Sequence, residues 1–182
     1  MIPIIESIDE NKLRPGAKMV RRDVIMLVVR HPSEEKYLYL HNKKFGWNIL
    51  VQGGVEQGEN PMAAAIRELT EETGFHDIRS VRRLPLDMDN VFYAAHKNEN
   101  RYARIQTYLI ELAGLDQLPH EDEAEVLFET YENLARIFGA GFAHHAFLLG
   151  VAAGRFSVDD LDPNNPSHLG PIELANLKVS YR

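Results

Sequence analysis

The sequence predicts an α+β fold, a mixed sheet sandwiched by helices, and three observations carry that expectation. A continuous β-branched and aliphatic run from Lys18 to Arg30 suits a strand buried on both faces. A stretch with strong helix start and stop signals stands between Asn60 and Gly74. Strand-like runs then recur before the chain turns helical again, an order that suits layered α+β architectures. The 182 residues fit one domain at roughly 150 residues each. We expect a single domain over 1–182, with a core of about 15–140 and a helical, then irregular, C-terminal extension over 141–182.

Each element follows from local chemistry. Residues 1–16 carry no clear period, include Pro3 and Pro15, and read as an arm or edge segment. Val20, Val24, Ile25, Leu27, Val28 and Val29 build the first strand, closed by His31-Pro32. Tyr37–Leu40 reads as its hairpin partner across a polar turn. Phe45–Val51 is a third short extended stretch, running into Gly53-Gly54. Asn60 is a good N-cap, Pro61 suits the first helical position and Gly74 the residue past the end. Met62, Ile66, Leu69 and Thr73 recur at helical spacing and predict the buried stripe of that helix. Ile78–Leu86, Val91–Ala95 and Ala103–Leu112 read as strands, and Glu121–Glu125 as an acidic loop. Tyr131–Phe138 and Phe142–Ala153 read as two further helices, and the proline-bearing tail from Asp159 as mostly irregular.

Composition narrows the function. Apolar residues at 45% and charged residues at 26% are ordinary for a soluble globule. Cysteine is absent, which excludes disulfide frameworks, thiolate zinc sites and cysteine nucleophiles. The longest apolar runs, Val24–Val29 and Phe147–Val151, are too short to span a bilayer. The first ten residues carry acids where a signal peptide would carry bases. A soluble, cytoplasmic protein is expected, with no membrane partner. The net charge of −7 is opposite in sign to that of a nonspecific nucleic-acid binder. It leaves room for an anionic substrate if a bound metal or local cations reverse the sign at the site.

The acids are gathered. Glu56, Glu59, Glu68, Glu71 and Glu72 crowd one segment in which Arg67 is the only base. At about 100° per residue, Glu68, Glu71 and Glu72 fall within one arc of the helix, beside its apolar stripe. Three neighbouring carboxylates repel one another, and a divalent cation resolves the repulsion. Mg²⁺ or Mn²⁺ favours hard oxygen ligands and is shared between protein carboxylates and substrate phosphates. Arg67, one turn before Glu71, has the rigid fork to hold a carboxylate in place. Gly53 and Gly54 allow bare backbone to approach the metal or phosphates, and Gly58 a second unusual backbone angle. Any one of these acids would pass as solvated surface. The spacing Gly53, five residues, Glu59, seven residues, Arg67-Glu68-Leu69, one residue, Glu71-Glu72, one residue, Gly74-Phe75 would arise here by chance with odds on the order of 10⁻⁷, so it is read as one unit.

That unit resembles the Nudix hydrolase signature, complete at every constrained position of Gly53–Phe75. The resemblance implies an α/β/α sandwich with a central mixed sheet, in which the signature forms a loop–helix–loop. It implies hydrolysis of a nucleoside diphosphate linked to another moiety, with Mg²⁺ or Mn²⁺ as cofactor. Carried over by position, Glu68, Glu71 and Glu72 would be the metal ligands, with one of them, Glu71 or Glu68, a candidate base; the Gly53 carbonyl could reach the cation, and Arg67 would orient. Some relatives place the base on a later loop, where this chain offers His120-Glu121-Asp122-Glu123; Glu123 is favoured over Glu121. By family analogy alone a homodimer is a candidate assembly.

Weaker signals bear on the substrate. Trp47 and Phe45, just upstream of the glycines, could stack on a base, although a lone Trp on a strand is more often core. The polar loop His96–Arg101 could bring Lys97, Arg101 and Arg104 to phosphates, or be a solvated hairpin tip. Arg21-Arg22 and Lys43-Lys44 are further phosphate candidates. His144 and His145 would diverge by about 100° on a helix and are read as structural rather than as a metal pair. Rival readings are a catalytically silent nucleotide-binding module, an RNA 5′-end pyrophosphohydrolase, and an isoprenoid diphosphate isomerase, which often uses a Cys that this chain lacks.

Overall fold

A computed structural model describes residues 2–7, 13–121, 123–138, 143–158 and 178–181. Its centre is a mixed sheet. The long apolar run forms β2 (Met19–Arg30), which pairs in parallel along its whole length with β7 (Glu99–Leu112). β7 pairs antiparallel with β6 (Ile78–Ala94), and β6 pairs in parallel with β1 (Pro3–Ser7). On the other side stand β3 (Tyr37–Asn42), β4 (Asn48–Ile49), β5 (Val51–Gly54) and β8 (Ala124–Glu129). β8 and β4 flank β3.

The expected hairpin of Tyr37–Leu40 with the first strand is nearly absent, because β3 meets β2 only at Arg30–Tyr37. β5 takes that edge instead, aligning Val51–Gly54 with Leu27–Val24. Leu50 is the residue where the chain leaves β3 and joins β2, and the change of partner splays the sheet open there. The two strands expected at Ile78–Leu86 and Val91–Ala95 are one, β6, whose register shifts between Arg83 and Asp87. The N-terminal segment is no loose arm. Ile4 and Ile5 are buried, and β1 lies between β6 and β9 (Lys178–Tyr181), a strand within the tail expected to be irregular.

Alternation on the strands sends side chains to two layers. Ile25, Leu27 and Val29 face α1 (Pro61–Thr73), together with Tyr108 and Ile110 of β7. Met26 and Val28 face the opposite layer of α2 (Tyr131–Phe138) and α3 (Ala143–Ala152), with Leu134, Phe138, Phe147, Leu148 and Leu149 buried against them. This is the expected sandwich. Its core runs past residue 140, since α3 buries Phe147, Leu148 and Leu149, Phe147 being among the largest fully buried side chains. Residue 142, the expected start of α3, and residues 159–177 lie outside the described residues. Among the described residues no helix is long and apolar enough to cross a membrane.

Candidate active site

The expected helix boundaries hold. Asn60 Oδ1 accepts from the Met62 N–H at 2.9 Å, Pro61 opens α1, and Gly74, at φ 75°, ends it with its N–H on the Thr70 carbonyl. The buried stripe differs from expectation. Met62 and Ile66 are 41% and 40% exposed, whereas Ala64, Ala65, Leu69 and Thr73 are buried. Alanine methyls let α1 lie close over the sheet, and the same rotation turns Glu68 and Glu72 inward toward β5.

Arg67 organises the loop and the helix. Its Nε and Nη2 donate to the two Glu59 oxygens at 2.9 and 3.0 Å. Nη1 donates to Glu68 Oε1 at 2.8 Å and Glu71 Oε2 at 2.9 Å, and Nη2 also reaches the Gly54 carbonyl at 2.8 Å. One planar fork therefore ties three carboxylates to the end of β5, a task a point-charge lysine could not share out. Glu59 also accepts the Glu56 N–H at 2.9 Å, and the Arg67 hydrogen bond first, then that one, hold its carboxyl below the usual range. Gly58, at φ 82°, turns the loop in between, as expected.

The inward acids behave differently. Burial raises the Glu68 pKa, and the charges of Glu71 and Glu59 add to that, outweighing Arg67. Burial, then the charges of Glu68 and Glu121, push Glu72 up to about 8, against a hydrogen bond from the Gln52 backbone. Glu72 Oε2 is buried with no hydrogen-bond partner. At Gly53 an added Cβ would lie 1.9 Å from the Glu68 carboxyl carbon. Gly53 is thus needed to admit the Glu68 carboxylate, rather than for a special backbone angle.

These features fit a hard divalent cation. A buried orphan carboxylate oxygen calls for a partner, and an inward acid whose pKa burial and the charges of Glu68, Glu121 and Glu71 raise calls for positive charge. Among the described residues no group of three acidic or histidine side chains closes into a preformed cage. Arg67 holds Glu68 and Glu71 meanwhile, and the half-exposed Glu71 is the one with freedom to swing.

From the acidic run 120–123, the residue brought against α1 is Glu121. Its N–H donates to the Glu71 carbonyl at 3.0 Å, and its charge acts on Glu72. Glu123, the residue favoured from sequence, is exposed, and its carbonyl accepts the Lys43 N–H at 3.2 Å. The spacing contained both acids; only the pairing of β8 with β3 decides which one reaches the helix. Asp122 lies outside the described residues.

The three cations expected to act together do not converge. Arg101 and Arg104 sit at odd and even positions of β7 and therefore face opposite layers. Arg101 donates to Glu99 at 3.0 Å, and Lys97 stands exposed in a 3₁₀ turn at Ala95–Lys97. Arg104 pairs with Asp23 at 2.6 Å, beside a cleft of about 410 Å³ lined by the β5–α1 loop, Asp87 and Gln106. The His96–Arg101 loop is shorter than expected, because β7 begins at Glu99. Trp47 and Phe45 are surface residues, not core, at 52% and 54% exposure. His145 is buried, with Nδ1 accepting the Leu50 N–H at 3.3 Å, the structural role expected of it. The sequence offered no signal for that pairing, which joins residues 95 apart.

Comparison with known proteins gives the same picture. The model of the NUDIX domain matches residues 15–147. A probable DHNTP pyrophosphohydrolase of Lactococcus lactis subsp. cremoris (strain MG1363) is 31% identical over 108 residues, covering 54% of this chain and 65% of that protein. An RNA pyrophosphohydrolase of Helicobacter pylori (strain P12) is 36% identical over 59 residues, 28% of this chain and 38% of that one. The chain thus spans just under two thirds of the first relative and less of the second. Among solved structures, the NUDIX domain of Shewanella oneidensis NrtR, complexed with ADP ribose, superposes with a TM-score of 0.58 at 14% identity. That likeness covers 83% of this chain and 95% of that one, and it concerns the fold.

Proposed function

This chain belongs to the NUDIX family, and from that membership we propose that it is a divalent-metal-dependent hydrolase. It cleaves a pyrophosphate linkage in a nucleoside diphosphate joined to another group. The observation that carries this reading is the orphan oxygen of Glu72, buried beside Glu68 and the Gly53 backbone in a complete signature. Glu68, Glu71, Glu72 and the Gly53 carbonyl are the ligands, and Mg²⁺ or Mn²⁺ suits their all-oxygen set. A cation held there would supply positive charge to the pyrophosphate and a more acidic water.

The rest falls to this chain's residues. Arg67 holds the Glu68 and Glu71 carboxylates together on one nitrogen, beside the end of β5. Glu72 holds a proton near neutrality in the free protein and would have to lose it to hold a cation. Glu121, close enough for its charge to act on Glu72, takes the proton of the water that attacks phosphorus, and the P–O bond to the departing phosphate breaks. Glu121 replaces Glu123 in this role.

The test is a panel of nucleoside triphosphates, dinucleoside polyphosphates, nucleotide sugars, ADP-ribose and 5′-triphosphate RNA, each with Mg²⁺ and with Mn²⁺. Product identification names the substrate and the phosphorus attacked. We expect Glu72→Gln to lower kcat at least about 100-fold, beyond what loss of a supporting residue does. Free of metal, the same variant is expected to be more stable by on the order of 2–3 kcal/mol at pH 7, since Glu72, with its pKa raised to about 8, must take up a proton on folding and glutamine need not. Unchanged turnover in Glu72→Gln would sink the assignment.

A further inference from the structure

Two of the largest exposed apolar side chains of the protein stand together. Phe45 and Trp47 stack at 4.8 Å between centroids and 21° between planes, each about half exposed. Scattered apolar residues on a surface are ordinary, but these occupy one rigid turn. Asn42 Oδ1 accepts from the Lys44 and Phe45 N–H groups at 3.1 and 2.9 Å. The Asn42 carbonyl accepts the Gly46 N–H, and the Asn42 N–H donates to the Trp47 carbonyl, both at 2.8 Å. Gly46 supplies the positive φ, 67°, that closes the turn. Little conformational freedom is left to lose when something settles on the rings.

The turn is also tied to the acidic helix. The Lys43 N–H donates to the Glu123 carbonyl, and two residues earlier the Glu121 N–H donates to the Glu71 carbonyl. Three residues of chain reach at most about 11 Å, so the backbone at the start of the turn stands one short segment from the Glu71 carbonyl of α1. Lys44 places its Nζ 5.2 Å from the Phe45 ring centroid, adding positive charge on the same turn.

We propose that the Phe45–Trp47 pair is the platform on which the planar base of the substrate stacks while its pyrophosphate lies against α1. This rests on the hydrolase reading above and adds the recognised group: a purine or a comparably flat, fused heterocycle. Flat aromatic faces bind by stacking and dispersion, which every base offers, so the site discriminates by ring size more than by hydrogen-bonding edge. A second protein is disfavoured as occupant, because two rings on a tight turn offer an area suited to one base.

Trp47 is the chain's single tryptophan, so its fluorescence reports the platform without any turnover. The full-length protein, with Mg²⁺ and with metal removed, is titrated with ADP, GDP, inorganic pyrophosphate and ribose 5-phosphate. Saturable quenching by ADP and GDP at similar concentrations, with none from the two probes that lack a base, is the expected result. Trp47→Ala is expected to raise KM about 10-fold with kcat within a factor of two, and Trp47→Phe to recover most of that loss. Quenching by pyrophosphate equal to that by ADP, or no quenching by a nucleotide the enzyme hydrolyses, overturns the platform. So does an unaltered KM in Trp47→Ala. The two readings fail separately: turnover surviving in Glu72→Gln removes the cation site on α1 even if ADP quenches, whereas turnover lost there with silent fluorescence removes only the platform.

Discussion

A methyl group at Gly53 would land 1.9 Å from the Glu68 carboxyl carbon, within the volume of a flexible side chain's far end. The fold absorbs such a clash by moving Glu68; the site does not. Gly53→Ala is therefore expected to keep a cooperative melt within a few degrees of the parent while losing most hydrolysis, which a thermal melt and a turnover assay on the same sample would check. A large fall in Tm with activity intact would contradict it. Arg67 is the complementary case, since four of its five hydrogen bonds reach Glu59, Glu68 and Glu71 and the fifth the Gly54 carbonyl. Removing it strands Glu68, whose side chain is 13% exposed. We expect Arg67→Ala to cost about 1–2 kcal/mol in urea unfolding, as for charge-assisted hydrogen bonds lost at a partly buried site, and Arg67→Lys to recover little of it.

Among the elements, α1 shows how a correct boundary coexists with a misjudged face. Its caps are local chemistry, and Asn60, Pro61 and Gly74 announce them. Its buried stripe is a competition between large apolar residues and close approach, and Ala64 and Ala65 win because the helix must bring Glu68 and Glu72 to β5. The β4–β5 junction depends on α3: at Leu50, where the strand changes partners, the N–H is taken by His145. Burial first, then His144, holds the His145 pKa well below its ordinary 6.5. With Nδ1 accepting, the neutral ring carries its proton on Nε2. A lowered histidine pKa means that the unfolded chain binds the extra proton first. This stabilisation is fully present above about pH 6.5 and falls as the pH drops below it, by up to about 1.4 kcal/mol per unit. Urea midpoints between pH 7 and pH 5 should therefore decline in the parent and decline less in His145→Gln, whose amide oxygen can still accept from Leu50. Equal slopes would rule the histidine out.

Two apolar layers, one on each face of the sheet, close the molecule, and the α2–α3 layer is not an appendage. Phe147, Leu148 and Leu149 are fully buried, and Phe156 stacks on Phe147 at 5.7 Å. At roughly 1.5–3 kcal/mol for each large side chain, α3 contributes an amount comparable with the whole stability of an ordinary domain. A chain ending at residue 142 is thus expected to lose its cooperative transition by circular dichroism, and hydrolysis with it. A truncated protein that melts sharply and still turns over would show the signature layer to be self-sufficient.

Much of this was legible in the residues, and for a common reason. Helix caps, strand runs, the Gly53–Phe75 spacing and the fork of Arg67 act between near neighbours along the chain, where side-chain type and backbone geometry suffice. The misread features are contacts between distant segments. β5 displaces β3 from the β2 edge, and Glu121 rather than Glu123 meets α1. Each depends on strand register, and a shift of one residue would send every side chain to the other face. Local chemistry thus settles which groups this protein owns and how each segment folds, while register across the sheet settles which of those groups ever meet.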